Sequence, residues 1–299
     1  MNRSIKIIFN IALLLVVVGL LWVMIRRTAS EEKPTYAEVP TEAPDSGRYA
    51  LASSFELGEE IKSFAMAGEQ LFVAAADTIH IYSMAGELQN AFGVSAGVRD
   101  IAFADSNVYA LYQSSIEIYD LTGNLVEHWE ACSDLSDYCS LAVAGGFVFA
   151  SDAANKNICQ YTRSGGFVRF ISSPNGFVIP SYSFDMASHN DTLYVANSGR
   201  HQIEVFTLEG KFVRTFGKPE DFVGCCNPSY ISIRNDGQLL SSEKGIPSIK
   251  LFDNNGEMKE ILLNSTALGG GNKAKEVKAL GESLVLSSGS IIKIFNQRQ

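Results

Sequence analysis

Histidine and tryptophan are scarce in this chain of 299 residues, which holds four of the first and two of the second. Three convergent histidines, the usual core of a catalytic zinc site, cannot be placed along it. The sequence also has no Gly-rich phosphate loop, no G-x-S-x-G and no H-E-x-x-H, so the common signatures of nucleotide, acyl and zinc-protease chemistry are missing. Basic residues are outnumbered, with 24 Lys and Arg against 33 Asp and Glu and a net charge of -9. Arg3, Lys6, Arg26 and Arg27 are the only charged groups in the first 27 residues, so the remainder carries 20 basic and 33 acidic residues, a net of -13. A body this acidic is a poor binder of phosphate backbones, and nucleic acid is disfavoured as a partner. Ordinary glycine and proline content with 10% aromatics excludes collagen-like and wholly disordered chains.

One apolar run stands apart. Ile7–Ile25 contains a single polar side chain, Asn10, and is flanked by Arg3 and Lys6 before it and Arg26 and Arg27 after it. A helix of that length, at about 1.5 Å per residue, spans a hydrocarbon core of roughly 30 Å. The competing reading is a cleaved signal peptide, whose apolar stretch is shorter and ends at small residues. The arginine pair sits where such a cleavage site belongs, which favours an uncleaved single-pass anchor over residues 1–27. The flanking charges are balanced and give orientation no vote. Residues 28–48 hold three prolines and five acids with few large apolar groups. They read as a flexible tether that cannot bury enough surface to order itself.

Residues 49–299 repeat. Strand-like segments begin at Leu71, Val108, Val148, Leu193, Leu239 and Leu284, spaced by 37, 40, 45, 46 and 45 residues. Each unit offers four short apolar stretches with period-2 alternation: a run such as VRDIAFA, an LYVA-type strand, an IEVF-type strand and an FVRTF-type strand. A glycine (Gly86, Gly123, Gly165, Gly210, Gly256) lies in the last hairpin of five units, where a tight turn needs positive φ. The sixth unit stops after its third strand, and a spare strand lies at Tyr49–Leu57. Sheet edges favour closure. Pairing Tyr49–Leu57 with Ile291–Phe295 would complete a six-bladed, all-β propeller.

The unit LYVANSGRHQIEVFTLEGKFVRTFGKPEDF from Leu193 resembles the NHL repeat, with its polar N-x-G-x-H turn, I-x-V-F strand, G-K-F hairpin and T-F-G exit. The resemblance is strongest over Ser183–Leu263 and degenerate over Ile61–Phe170, and the copy at Cys159–Gly165 departs from it. FVGCCNPSYISI from Phe222, followed by SSEKGIPSIKLFD from Ser241, is similar to a motif pair in a subset of bacterial NHL-type proteins. The resemblance implies a propeller scaffold and a body outside the cytoplasm, in a periplasm. It implies no one activity, because relatives include sensors, scaffolds, RNA-binding modules and a zinc-dependent lyase.

In a four-stranded blade the loop entering strand one and the loop joining strands two and three share a rim. This places Cys225, Cys226, Asn227, Glu243 and Lys244 side by side, with Asn197, Arg200 and His201 on the same rim as ligand-binding candidates. Three readings of Cys225–Cys226 stand open: a structural disulfide or packed turn fixed by Asn-Pro, a dithiol–disulfide redox pair, and a soft-metal site for Cu(I) or Zn completed by Cys132, Cys139 or His201. Cys132 and Cys139 enclose a short loop and are a candidate disulfide. Cys159 reads as a buried small apolar residue. Glu243 and Lys244 read as an ion pair stabilising their loop or as ligand contacts, and His80 as a surface histidine. The sequence therefore predicts a membrane-tethered, non-catalytic propeller that binds a protein or small ligand and requires no cofactor. A redox or Cu/Zn-handling protein is the alternative, and a propeller-type lyase or hydrolase, which needs clustered rim carboxylates or histidines, is the second.

Overall fold

The computed structural model of the chain describes residues 14, 17–19 and 44–298. It forms two units, Met1–Thr41 and Glu42–Gln299. Most of the expected span at 7–25 and of the tether at 28–48 lies outside the described residues. Among the described residues no helix is long and apolar enough to cross a membrane.

The second unit is a six-bladed β-propeller, with six antiparallel sheets of four strands each. Blade one is β2 (Ile61–Ala67), β3 (Gln70–Ala75), β4 (Thr78–Ser83) and β5 (Leu88–Gly93). Blade two is β6 (Asp100–Ala104), β7 (Asn107–Leu111), β8 (Ser115–Asp120) and β9 (Leu125–Glu130). Blade three is β10 (Tyr138–Ala144), β11 (Phe147–Asp152), β12 (Asn157–Thr162) and β13 (Phe167–Ile171). Blade four is β14 (Met186–His189), β15 (Thr192–Asn197), β16 (Gln202–Thr207) and β17 (Phe212–Phe216). Blade five is β18 (Tyr230–Ile233), β19 (Leu239–Glu243), β20 (Ser248–Phe252) and β21 (Met258–Leu263). Blade six joins β22 (Val277–Leu280), β23 (Ser283–Ser288) and β24 (Ile291–Gln297) to β1 (Tyr49–Glu56). β1 runs antiparallel to β24, with Tyr49 opposite Gln297 and Glu56 opposite Ile291. The inner strands follow one another, β2 beside β6, β6 beside β10 and so on to β22, and β2 also meets β23. The only α-helical turn among the described residues of this unit is α1 (Ser265–Leu268), capped by the Asn264 side chain and too short to show as periodicity.

Each of six buried apolar clusters fills one interface between neighbouring blades. The second strands, such as TLYVAN and QLFVAA, are buried on both faces because each sheet is packed between two others. Fully buried Phe64, Phe72, Phe149, Phe206 and Phe252 each contribute about 1.5–3 kcal/mol by leaving water. The hairpin glycines do more than permit a turn. A Cβ on Gly123 (φ 87°) would lie 2.5 Å from the Cβ of Phe92, and one on Gly165 (φ 77°) would lie 2.5 Å from the Trp129 indole nitrogen. Each hairpin seats on the outer strand of the preceding blade. Gly86 closes the circle by meeting Phe55 of β1. Blade six has no such glycine because its third and fourth strands come from opposite ends of the chain.

Candidate functional site

The six inner strands begin on one rim, and one polar residue near the start of each faces the same central opening. In blade order these are Ser63, Asp100, Ser140, Asp185, Tyr230 and Glu276, so hydroxyl and carboxyl alternate around the ring. Each carboxylate ties its own blade to the next. Asp100 Oδ2 accepts the Leu141 N–H at 2.7 Å, Asp185 Oδ2 accepts the Ile231 N–H at 2.7 Å, and Glu276 Oε2 accepts the Phe64 N–H at 3.3 Å. The hydroxyls reach the same acids. Ser63 Oγ lies 2.6 Å from Asp100 Oδ1 and 3.2 Å from Glu276 Oε1, and Ser140 Oγ donates to Asp185 Oδ1 at 2.9 Å. Met186 N–H in turn donates to Ser140 Oγ at 3.2 Å. The pattern is a hydrogen-bonded belt across five of the six blade interfaces.

One lysine serves these three acids. Lys278 Nζ is 3.0 Å from Glu276 Oε1 and 5.3 Å from the centre of the Phe64 ring. Burial works against its charge, but Glu276, Asp100 and Asp185 together outweigh burial and hold the ammonium protonated. A single cation cannot neutralise three carboxylates. Burial, reinforced by Asp100, pushes Asp185 up to about 6. Burial, opposed by Lys278 and reinforced by Asp100, pushes Glu276 up to about 7. Burial beside the same acids raises the Tyr230 hydroxyl, which stays protonated.

The belt floors a cavity of about 510 Å³. Its wall carries Lys62, Arg99, Lys244 and Lys273, with Ser181, Tyr182 and Ser183 on the loop before β14. Tyr182 is 64% exposed and has a left-handed backbone (φ 58°), which is uncommon for a bulky residue. Lys244 Nζ donates to Ser181 Oγ at 2.5 Å and lies 3.5 Å from Ser183 Oγ, and burial lowers its pKa. Arg99 is held by Asp137 and by the Tyr138 carbonyl. No histidine lines the cavity.

The residues singled out from the sequence divide here. Lys244 reaches the cavity. Cys225 and Cys226 do not line it. They are joined to each other, Cys225 exposed and Cys226 buried, and in this form offer no thiolate to a metal. Asn227 is fully buried, and four hydrogen bonds bind it to Val223, Ser229 and both backbone groups of Lys244. Asn197 accepts the Val178 N–H and donates to Glu204 and the Gly176 carbonyl. Arg200 donates to the Asn175 and Gly176 carbonyls. His201, in a left-handed turn, has Nδ1 2.7 Å from the Phe222 carbonyl, so Nδ1 is the protonated nitrogen. These side chains are consumed in fastening rim loops. His80 is half-buried against Tyr82 rather than on the surface, with a buried Nδ1 that has no partner.

Two pairings expected from sequence are corrected. Cys132 is joined to Cys159, and Cys139 is the free thiol. Tyr138 accounts for this. Its hydroxyl accepts the Cys132 N–H at 3.0 Å and meets the Tyr161 hydroxyl, drawing the loop towards β12 where Cys159 lies. Cys139, at the irregularity between Tyr138 and Ser140, packs instead with the apolar cluster between blades three and four, away from the cluster that holds Tyr138 and Cys132. Burial, with Asp137 nearby, pushes its thiol up to about 12. Glu243 and Lys244 are likewise adjacent on the chain and diverge. Glu243 is buried at the end of β19 and pairs with Lys250 at 2.8 Å, and burial raises it to about 7 despite that partner. Among the described residues the one group of ligand-type atoms spaced for a metal is Cys132, Asp152 and Cys159. Its two sulfurs are bonded to each other, and Asp152 already accepts from three backbone N–H groups and from Asn155 Nδ2.

The belt is not among the site residues expected from sequence. The signal was present: aligned on Phe64, Ile101, Leu141, Met186, Ile231 and Val277, the six inner strands read S-F, D-I, S-L, D-M, Y-I and E-V.

No family model matches the chain, and no curated protein does. Solved structures are similar in fold. The virginiamycin B lyase of Staphylococcus aureus superposes with a TM-score of 0.60 at 15% identity, over 84% of this chain and 89% of that one. The WD40 β-propeller domain of Doa1 gives 0.60 at 14%, over 85% and 98%. A protein of unknown function from Bacteroides thetaiotaomicron gives 0.61 at 9%, over 85% and 73%. At these identities the likeness extends to the propeller fold alone.

Proposed function

We propose that this chain is a non-catalytic binding protein, tethered to a membrane through residues 7–25 with its NHL-like propeller outside the cytoplasm, and that it takes its ligand at the channel mouth. The observation that carries the reading is the cavity of about 510 Å³, whose floor is the hydroxyl–carboxyl belt and whose wall holds four cations. Its size lies within the range of about 300–1,000 Å³ usual for small-molecule sites. Tyr49 and Gln297, where the ring begins and ends, lie at the opposite ends of their strands from the mouth. The test is native mass spectrometry of the full-length chain in micelles after exposure to a small-molecule extract. The expected result is a retained ligand mass that disappears in Ala274→Trp, which plugs the cavity from its wall. Equal retention by both proteins, or none by either, would overturn the reading.

A second reading draws on the raised acids. Glu276, raised to about 7, and a second carboxyl group, Asp100, in one cavity are the ingredients of general acid–base chemistry, as in a propeller-type lyase or hydrolase. Their commitment to backbone N–H groups of the next blade favours a structural and binding role instead. Turnover of a retained ligand that is abolished by Glu276→Gln would favour the second reading.

A further inference from the structure

The charges at the mouth are layered. The lower layer is acceptor-rich: Asp100, Asp185 and Glu276 each receive one N–H from a neighbouring blade and at most two hydroxyl or local donors besides, so their oxygens retain acceptor capacity. The upper layer is cationic. Lys244 and Lys273 make no direct ion pair among the described residues, although Glu60 feels the charge of Lys273, whereas Lys62 and Arg99 on the same wall pair with Glu60 and Asp137. Lys244 is moreover held towards the cavity by neutral partners, Ser181 and Ser183, which orient its charge without cancelling it. Tyr182, exposed and in a left-handed backbone, lines the same opening.

We propose that the mouth takes an acidic saccharide, a sugar ring carrying a carboxylate or a phosphate. This rests on the mouth being the ligand site. The anionic group pairs with Lys244 and Lys273 at the rim, because the carboxylate floor repels it. The sugar hydroxyls donate to the free oxygen lone pairs of that floor, because carboxyl oxygens are strong acceptors for neutral O–H donors. The C–H face of the ring lies on Tyr182, whose aromatic body tolerates one wet and one apolar side. A plain dianion has no donors for the floor, a neutral sugar leaves the two lysines unanswered, and a polyamine meets the cations first.

The experiment is titration calorimetry of the full-length chain in micelles with glucuronate, glucose 6-phosphate, glucose and succinate. One or both acidic sugars should bind at least about tenfold more tightly than glucose or succinate, and added salt should weaken them. Comparing the two acidic sugars identifies the source of the anion. Lys244→Gln/Lys273→Gln, checked for an unchanged melting temperature, should reduce acidic-sugar affinity at least about tenfold while leaving glucose unaffected. Tyr182→Ala should weaken every sugar and spare succinate. Equal binding of glucose and glucuronate that still responds to Tyr182→Ala would overturn the acidic-saccharide assignment while the mouth remained a ligand site. Absence of measurable binding by all four probes would overturn the assignment too, whereas the mouth itself stands or falls on the Ala274→Trp comparison.

Discussion

Asn227 grips both backbone groups of Lys244: its Nδ2 donates to the Lys244 carbonyl at 3.1 Å while its Oδ1 accepts the Lys244 N–H at 2.9 Å. The same Nδ2 donates to the Val223 carbonyl at 2.7 Å. The Gly224–Pro228 loop is therefore latched to the end of β19 by one side chain, and Lys244 is aimed across the mouth from that latch. Asn227→Ala leaves buried backbone groups unpaired at about 1–3 kcal/mol each. The expected loss is about 2–4 kcal/mol, a fall of several degrees in melting temperature for a body of this size. Asn227→Asp should fare nearly as badly, because a carboxylate cannot donate to the two carbonyls. An unchanged melt in both variants would show that the latch is dispensable.

Much of this architecture could be read from the sequence. Six repeat units, four strands per unit and a Gly in the last hairpin are local features, set by period-2 alternation and by positive φ, and local features survive in a linear string. What the hairpin glycine touches was not legible, because Phe92 and Trp129 belong to the preceding blade. The partner of Cys132 was hidden for the same reason: the choice between Cys139 and Cys159 is made by Tyr138, which acts across the fold. At the rim, Asn197, Arg200, His201 and Asn227 were picked out as ligand contacts because polar loop residues of both kinds look alike in sequence. Their side chains instead satisfy loop backbones, a requirement that appears only once those backbones are buried.

The glycine contacts give a graded stability test. Gly123→Ala adds a Cβ at positive φ and within 2.5 Å of Phe92, so strain and overpacking act together. The expected cost is about 2–4 kcal/mol. Gly68 also has positive φ (60°), but a Cβ there meets nothing within 4 Å, so Gly68→Ala should cost only about 1 kcal/mol. Chemical denaturation of both variants measures the difference. Similar losses would show that turn strain alone, without blade contact, explains the repeated glycine.

The belt makes stability depend on pH in a defined direction. Glu276 is raised to about 7 and Asp185 to about 6 in the folded chain, against roughly 4 for both when unfolded. Between about pH 4 and pH 7 the folded state therefore binds more protons than the unfolded state. The contribution of these two groups is fully present below pH 4 and is lost as pH rises through their folded values. Glu276→Gln removes one of them. Its melting temperature should fall less steeply than that of the native chain between pH 5 and pH 8, by a difference on the order of 2 kcal/mol. Lys278→Met should do the reverse, destabilising most at high pH, where the acids are ionised without a counter-ion. Parallel pH profiles for the native chain and Glu276→Gln would remove Glu276 as the titrating group.

The cysteine pairing and the side of the membrane can be tested together. Alkylation of the native chain without reductant should label neither Cys132 nor Cys159, and peptide mapping should recover the two linked across their 27-residue separation. Cys139 should label slowly even at pH 8, because burial keeps its thiol protonated. Cys132→Ser should cost about 3 kcal/mol, the usual worth of a bridge closing a loop of that length. A disulfide of this kind persists in an oxidising compartment, so a phosphatase fused to the C-terminus should be active in a bacterial host. An inactive phosphatase fusion alongside a fluorescent cytoplasmic reporter would place the propeller inside the cell. In that setting Cys132 and Cys159 should be recovered as free thiols.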